Sequence, residues 1–155
     1  MKLIKGLSIA VASVVLVCGP SLAVPATNAD GDYLFPGRRG TRQFNWQVSD
    51  ADPNGLNCRM AREFQGVYLD SLEVPDSLRL NNHHEISEWS VVRRFDRGEL
   101  LQAVTGNNAN QIVLLDKRGK PWIPVSIEDG NCFVRANSRF IIPIPEDPTT
   151  LRPLK

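Results

Sequence analysis

A chain of 155 residues with 18 basic and 17 acidic side chains has no charge excess to draw it to nucleic acid or an anionic membrane surface. Its length allows one domain with a modest core, and no internal repeat of useful length divides it. Neither a phosphate-cradling glycine loop nor a basic stripe with interleaved aromatics is present.

The chain opens as an export signal. Lys2 and Lys5 form a positive start, Leu7 to Val17 is apolar, and Gly19-Pro20 breaks the helix before Ser21-Leu22-Ala23, a small-x-small cleavage pattern. Thr27-Asn28-Ala29 is a second such pattern, so residues 1–29 are assigned to a signal peptide cut near 23 or 29. The apolar run falls short of the roughly 20 residues that cross a bilayer. No later segment is long enough either, and no stable membrane insertion is expected. Cys18 raises lipid attachment as an alternative, but Val17 stands before it where a small residue is usual. Removing residues 1–29 leaves 126, with 16 basic against 17 acidic side chains.

Residues 30–45 are polar and contain Arg38, Arg39 and Arg42, which predicts a flexible lead-in with a solvated arginine face. Trp46–Val48 predicts a first strand. The turn formers Ser49 to Gly55 follow, then a second extended piece at Leu56-Asn57-Cys58-Arg59. Residues 61–88 lack strand periodicity and predict a long inserted loop, with a helical turn near Glu85 to Glu88. Trp89 to Phe95 and Glu99 to Thr105 are the next strands, separated by Asp96-Arg97-Gly98. Ile112 to Leu115, Trp122 to Ile127 and Cys132 to Ile141 complete the set, bounded by Lys117-Arg118-Gly119 and Glu128-Asp129-Gly130. Ile123, Val125 and Ile127 alternate and should face the core, which turns Trp122 toward a groove or loop. Residues 145–155 carry Pro145, Pro148 and Pro153 and read as an extended tail.

With Cys18 removed, Cys58 and Cys132 remain. Two cysteines in an exported chain favour a disulfide, because that compartment is oxidising; two free buried thiols are the alternative.

Leu56-Asn57-Cys58-Arg59, the Asp96-Arg97-Gly98 turn, Trp122-x-x-Val125 and Gly130-x-Cys132-Phe133-Val134-Arg135-Ala136 occur in an order that resembles the bacterial Src-homology-3-like (SH3b) domain family. Short exported cyanobacterial members, with cysteine in the first and last motifs, are the most similar. The resemblance covers residues 46–144. It implies an all-β fold, a small SH3-like barrel of five to six short strands, and binding of cell-wall material or protein. Two departures stand out. Met60-Ala61-Arg62-Glu63 opens a long insertion where the family has a compact turn, and Phe133 stands where tryptophan is common.

Catalysis finds little support. Cys58 or Cys132 with His83 or His84 would mimic a papain-like centre, but both cysteines sit in strand-like runs rather than at a helix N-terminus. His83, His84, Glu85 and Glu88 match no zinc spacing and read as a polar surface loop. No cofactor and no metal site is expected. The aromatic residues Trp89, Trp122 and Tyr68, with Arg59, are the candidate ligand-binding set, since amphipathic rings give contact area at low conformational cost.

The sequence thus predicts a secreted or periplasmic, non-catalytic module that binds a cell-wall peptide or glycan or an envelope protein. Two alternatives stay open. One is a metal- or redox-responsive envelope protein using His83, His84 and Glu88 or the cysteine pair; the other is an accessory domain of a cell-wall hydrolase carried on another chain. Oligomeric state is not readable from the sequence.

Overall fold

The computed structural model describes residues 24–35, 43–62, 65, 85–104 and 112–145. Residues 1–23 of the assigned leader and the tail from residue 146 lie outside them, as do Arg38, Arg39 and Arg42. So do residues 63–64 and 66–84 of the long insertion, with Tyr68, His83 and His84.

The fold is all-β, with no α-helix among the described residues. Eight strands run in chain order: β1 (Asn45–Val48), β2 (Leu56–Met60), β3 (Ser90–Phe95), β4 (Leu100–Gln102), β5 (Leu114–Leu115), β6 (Pro121–Ile127), β7 (Gly130–Arg135) and β8 (Ile141–Pro143). A 3-10 turn at Ile86–Glu88 precedes β3 and buries Ile86, where the sequence suggests a helical turn. Among the described residues no helix is long and apolar enough to cross a membrane.

The strands form two antiparallel sheets, one of three strands in the order β4-β1-β8 and one of five in the order β3-β2-β7-β6-β5. This corrects the expectation of a barrel with five to six strands: there are eight among the described residues, and the sheets do not close into a barrel. One cause is local. The run from Cys132 to Ile141 is not a single strand, because a turn at Asn137 to Phe140, closed by Phe140 N–H to Asn137 O at 2.9 Å, separates β7 from β8. Turned in this way, β8 pairs with β1, and the last strand joins the smaller sheet. Near β4 the sheets are tied by a single bridge between Ala103 and Val125.

Alternation decides what each sheet buries. In the smaller sheet Trp46, Val48, Leu101 and Ile141 turn inward, while Gln47, Leu100 and Ile142 turn out. In the larger sheet Cys58, Met60, Ile123, Val125, Cys132 and Val134 meet them in one core. Ile123 and Val125 are fully buried, as their alternation predicts. The central strand β7 is covered on both faces. Its outward Phe133 is fully buried beneath the edge of Trp89, with ring centroids 5.8 Å apart.

Cys58 and Cys132 are joined by a disulfide with Cα atoms 5.5 Å apart. Their meeting follows from register: β2 and β7 are neighbours with Arg59 opposite Phe133, so both cysteines point inward across the same pair of strands. The bond spans 74 residues of sequence. It therefore removes a large amount of freedom from the unfolded chain, on the order of 4 kcal/mol in the chain-entropy account.

Residues 30–35, placed by sequence in a flexible lead-in, are built into the fold. Residues 26–34 form a tight hairpin, with Asn28 N–H to Asp32 O at 2.9 Å and Leu34 N–H to Ala26 O at 2.8 Å. Asp32 and Tyr33 are buried. The Tyr33 hydroxyl donates to Ile141 O at 2.9 Å, and its ring meets Trp46 edge-on at 4.9 Å. Burial pushes the Tyr33 phenol up to about 12. Composition alone marks this polar segment as loose, because it does not register Asp32 and Tyr33, the two residues that anchor it.

Candidate functional site

The outward face of the larger sheet carries a cleft of about 370 Å³. Arg59 of β2, Trp122 of β6 and Arg135 of β7 contribute to it, with Asn57, Phe140 and the acidic pair Asp50 and Asp52. Strand alternation puts them together. Arg59 is the neighbour of inward Cys58, so it points outward, and β6 pairs with β7 so that Trp122 lies opposite Arg135.

Each wall is held by hydrogen bonds. Arg59 Nη1 donates to Trp89 O at 2.7 Å, tying the middle of β2 to the chain just ahead of β3. Trp122 is buried, and its indole Nε1 donates to Asp116 Oδ2 at 3.0 Å. Asp116 is itself buried in the β5–β6 turn, where its other oxygen accepts from the backbone N–H groups of Arg118 and Lys120, both at 2.9 Å. One carboxylate thus shapes the turn and orients the ring at the base of the cleft.

Arg135 is the most constrained member. Its guanidinium donates to Pro121 O at 2.7 Å and to Asp32 Oδ1 at 2.6 Å, and lies 6.0 Å from the Trp122 ring centre. Burial lowers its pKa, against the raising influence of the Asp32 carboxylate. Burial would raise Asp32. The Asn137 hydrogen bond and the charges of Arg135 and Lys120 outweigh it and hold the carboxyl below its ordinary 3.8. Asp52, also in the lining, is lowered by hydrogen bonds from the Asn54 backbone and side chain, with Arg94 adding charge. The lining of the cleft therefore combines guanidinium groups, carboxylates and aromatic rings.

Of the residues that the sequence nominates, Arg59 and Trp122 share this cleft. Trp89 is half-buried beside it as the cover of Phe133, and Tyr68 lies outside the described residues. Glu88 is exposed in the 3-10 turn, while His83 and His84 lie outside the described residues. Among the described residues no group of three histidine, cysteine or acidic side chains is placed to hold a metal ion. Cys58 and Cys132 are fully buried and joined, so neither presents a free thiol as a nucleophile. A larger hollow of about 600 Å³ runs along Ser90, Val91 and Val92 of β3 to Asp129 and Asn131, without an aromatic among its described lining residues.

Sequence reasoning missed Arg135, Asn57, Phe140 and the acidic pair. A signal for Arg135 was present. Ile127 pairs with Gly130, leaving Glu128 and Asp129 as a two-residue loop, and counting back from it sets Arg135 opposite Trp122. Phe140 reaches the cleft from a distant segment, meeting the loop before β2 where Asp50 N–H donates to its carbonyl at 3.2 Å, and local pattern carries no such information. No family model matches the chain, and no curated protein or solved structure matches it at a significant level.

Proposed function

We propose that this chain is an exported, non-catalytic binding module of the SH3-like kind. It recognises a short peptide, free, within cell-wall material or on an envelope protein, in the cleft between Arg59 and Trp122. The carrying observation is that cleft. Its 370 Å³ suits a ligand of a few residues, and donors, acceptors and rings converge on it from β2, β6, β7 and the loop before β2. A peptide supplies amide donors and acceptors, terminal charges of both signs and apolar side chains, and the lining has a counterpart for each. The leader-like start of the sequence and the core disulfide support an oxidising, exported setting. The SH3-like reading is supported by the adjacency of β2, β7 and β6, which carry the first, last and tryptophan motifs. Burial of the cysteine pair in the core favours a structural bond over a redox-responsive one.

The test is retention of the protein lacking its leader by purified peptidoglycan and by envelope extract, compared with Arg59→Ala and Asn57→Ala. Leu100→Gln, on the exposed face of the other sheet, serves as control. Retention of wild type and control with loss in the two cleft variants is expected. Retention by neither material, or retention unchanged by the cleft variants, rejects the site.

A further inference from the structure

The sequence offers two export cuts, after Ala23 and after Ala29, with the same small-x-Ala character. The fold does not treat them alike. Residues 24–29 are the first arm of the hairpin that docks Asp32 and Tyr33. Pro25 is buried, Thr27 bridges Tyr33, and Asn28 organises the turn. The Asn28 carbonyl accepts from Gly31 N–H at 3.0 Å, while its side-chain Oδ1 accepts from the N–H groups of Asp30 and Asp32 at 3.0 and 2.9 Å.

A cut after Ala29 falls inside this turn. Gly31, Asp32 and Leu34 would lose the acceptors of their N–H groups, and the Asp32 carbonyl would lose the Asn28 donor. Asp32 is buried, so its exposed backbone could be satisfied only by loosening the segment. The damage would spread. The far side of the hairpin is fixed by Ser138 N–H to Gly31 O at 2.8 Å and by Asn137 Nδ2 to Asp30 O at 2.9 Å, and Asp32 holds Arg135 in the wall of the cleft. A cut after Ala23 leaves every one of these contacts in place.

We infer that the processing site is the Ala23–Val24 bond and that residues 24–29 belong to the mature protein as a structural arm. This rests on the export reading given above. The full chain, with its own leader, is expressed in a bacterium with a general signal peptidase, recovered from outside the cytoplasm and weighed intact. A chain beginning at Val24 is expected. A chain beginning at Asp30 overturns the inference while leaving export standing; an intact Met1 overturns both. A second measurement compares proteins produced to begin at Val24 and at Asp30. The shorter one is expected to melt about 5 °C or more lower, or to fail to fold. Equal melting temperatures overturn the structural role of the arm.

Discussion

Asp32 and Arg135 stand 103 residues apart in the sequence and 2.6 Å apart in the fold. Asp32 belongs to the N-terminal hairpin and Arg135 to the last strand of the larger sheet, so one contact docks the hairpin and fixes a wall of the cleft. The Asp32 side chain is only 4% exposed and also receives Asn137 Nδ2 at 2.6 Å, while Lys120 bridges from Asp32 to Asp30 at the solvent edge.

Replacing Asp32 by alanine leaves Arg135 and Asn137 without their buried acceptor, and should cost about 3 kcal/mol at neutral pH. The pH dependence has a definite sign. The carboxyl is held below 3.8 in the folded protein, so its contribution is complete above that value and is lost as pH falls through the lower folded value. Urea unfolding should therefore show a constant gap between wild type and Asp32→Ala from neutral pH down to about 4, closing below it. A gap that closed between pH 7 and 5 would assign the effect to another group.

The disulfide gives a separate expectation. Replacing Cys58 and Cys132 together by alanine should lower stability by about 2–5 kcal/mol, through the freedom returned to the unfolded chain. Wild type under reductant should lose a similar amount. Because the pair lies in the core rather than in the cleft, ligand retention at a temperature where both proteins are folded should be unchanged. Loss of retention without loss of stability would contradict a purely structural bond.

Much of this architecture is legible from short-range pattern. Gly98 and Gly130 mark turns, and the alternation of Ile123 with Val125 identifies the face of β6 that meets the core between the sheets, as Trp122 identifies the face toward the cleft. The disulfide follows from compartment and count. The missing parts are non-local. Asn137 and Phe140 sit in a run of strand-like composition, and the turn there is enforced by the Asn137 side chain, whose Nδ2 donates to Asp30 O of the hairpin and whose Oδ1 accepts from Arg139 N–H. Asp32 reads as surface until its three side-chain partners are known, since Lys120, Arg135 and Asn137 all lie far along the chain, at separations of 88, 103 and 105 residues. The cleft was half legible for the same reason: Arg59 and Trp122 lie in recognisable motifs, whereas Arg135 and Phe140 come to it from segments far from β2 in the sequence.

Two glycines of similar backbone conformation should respond differently to alanine. Gly55 has φ +80°, and a Cβ there would lie 2.7 Å from the carbonyl oxygen of Phe95, where β2 and β3 come together. Gly98 has φ +89° with nothing within 4 Å of such a Cβ. Gly98→Ala should cost about 1 kcal/mol, the strain of the left-handed backbone alone. Gly55→Ala adds displacement of a backbone group that has no rotamer to escape into, and should cost about 2–4 kcal/mol. Thermal unfolding of the two variants side by side decides it; equal losses would mean that the β2–β3 contact yields more easily than its geometry implies.

Asp116 should prove the single most consequential side chain for the form of the cleft. Its carboxylate satisfies Arg118 N–H, Lys120 N–H and the Trp122 indole at once. Asp116→Ala strands a buried indole donor and undoes the turn between β5 and β6, at a cost of about 2–4 kcal/mol. Asp116→Asn keeps one oxygen, which can serve the turn or the ring but not both, so an intermediate loss is expected. The indole proton of Trp122, followed by NMR hydrogen exchange, separates the two effects. It should exchange slowly in wild type and quickly in Asp116→Ala even where the rest of the protein stays folded. If it stayed protected, the ring would be held by its packing and its pairing opposite Arg135, and the carboxylate would matter to the turn alone.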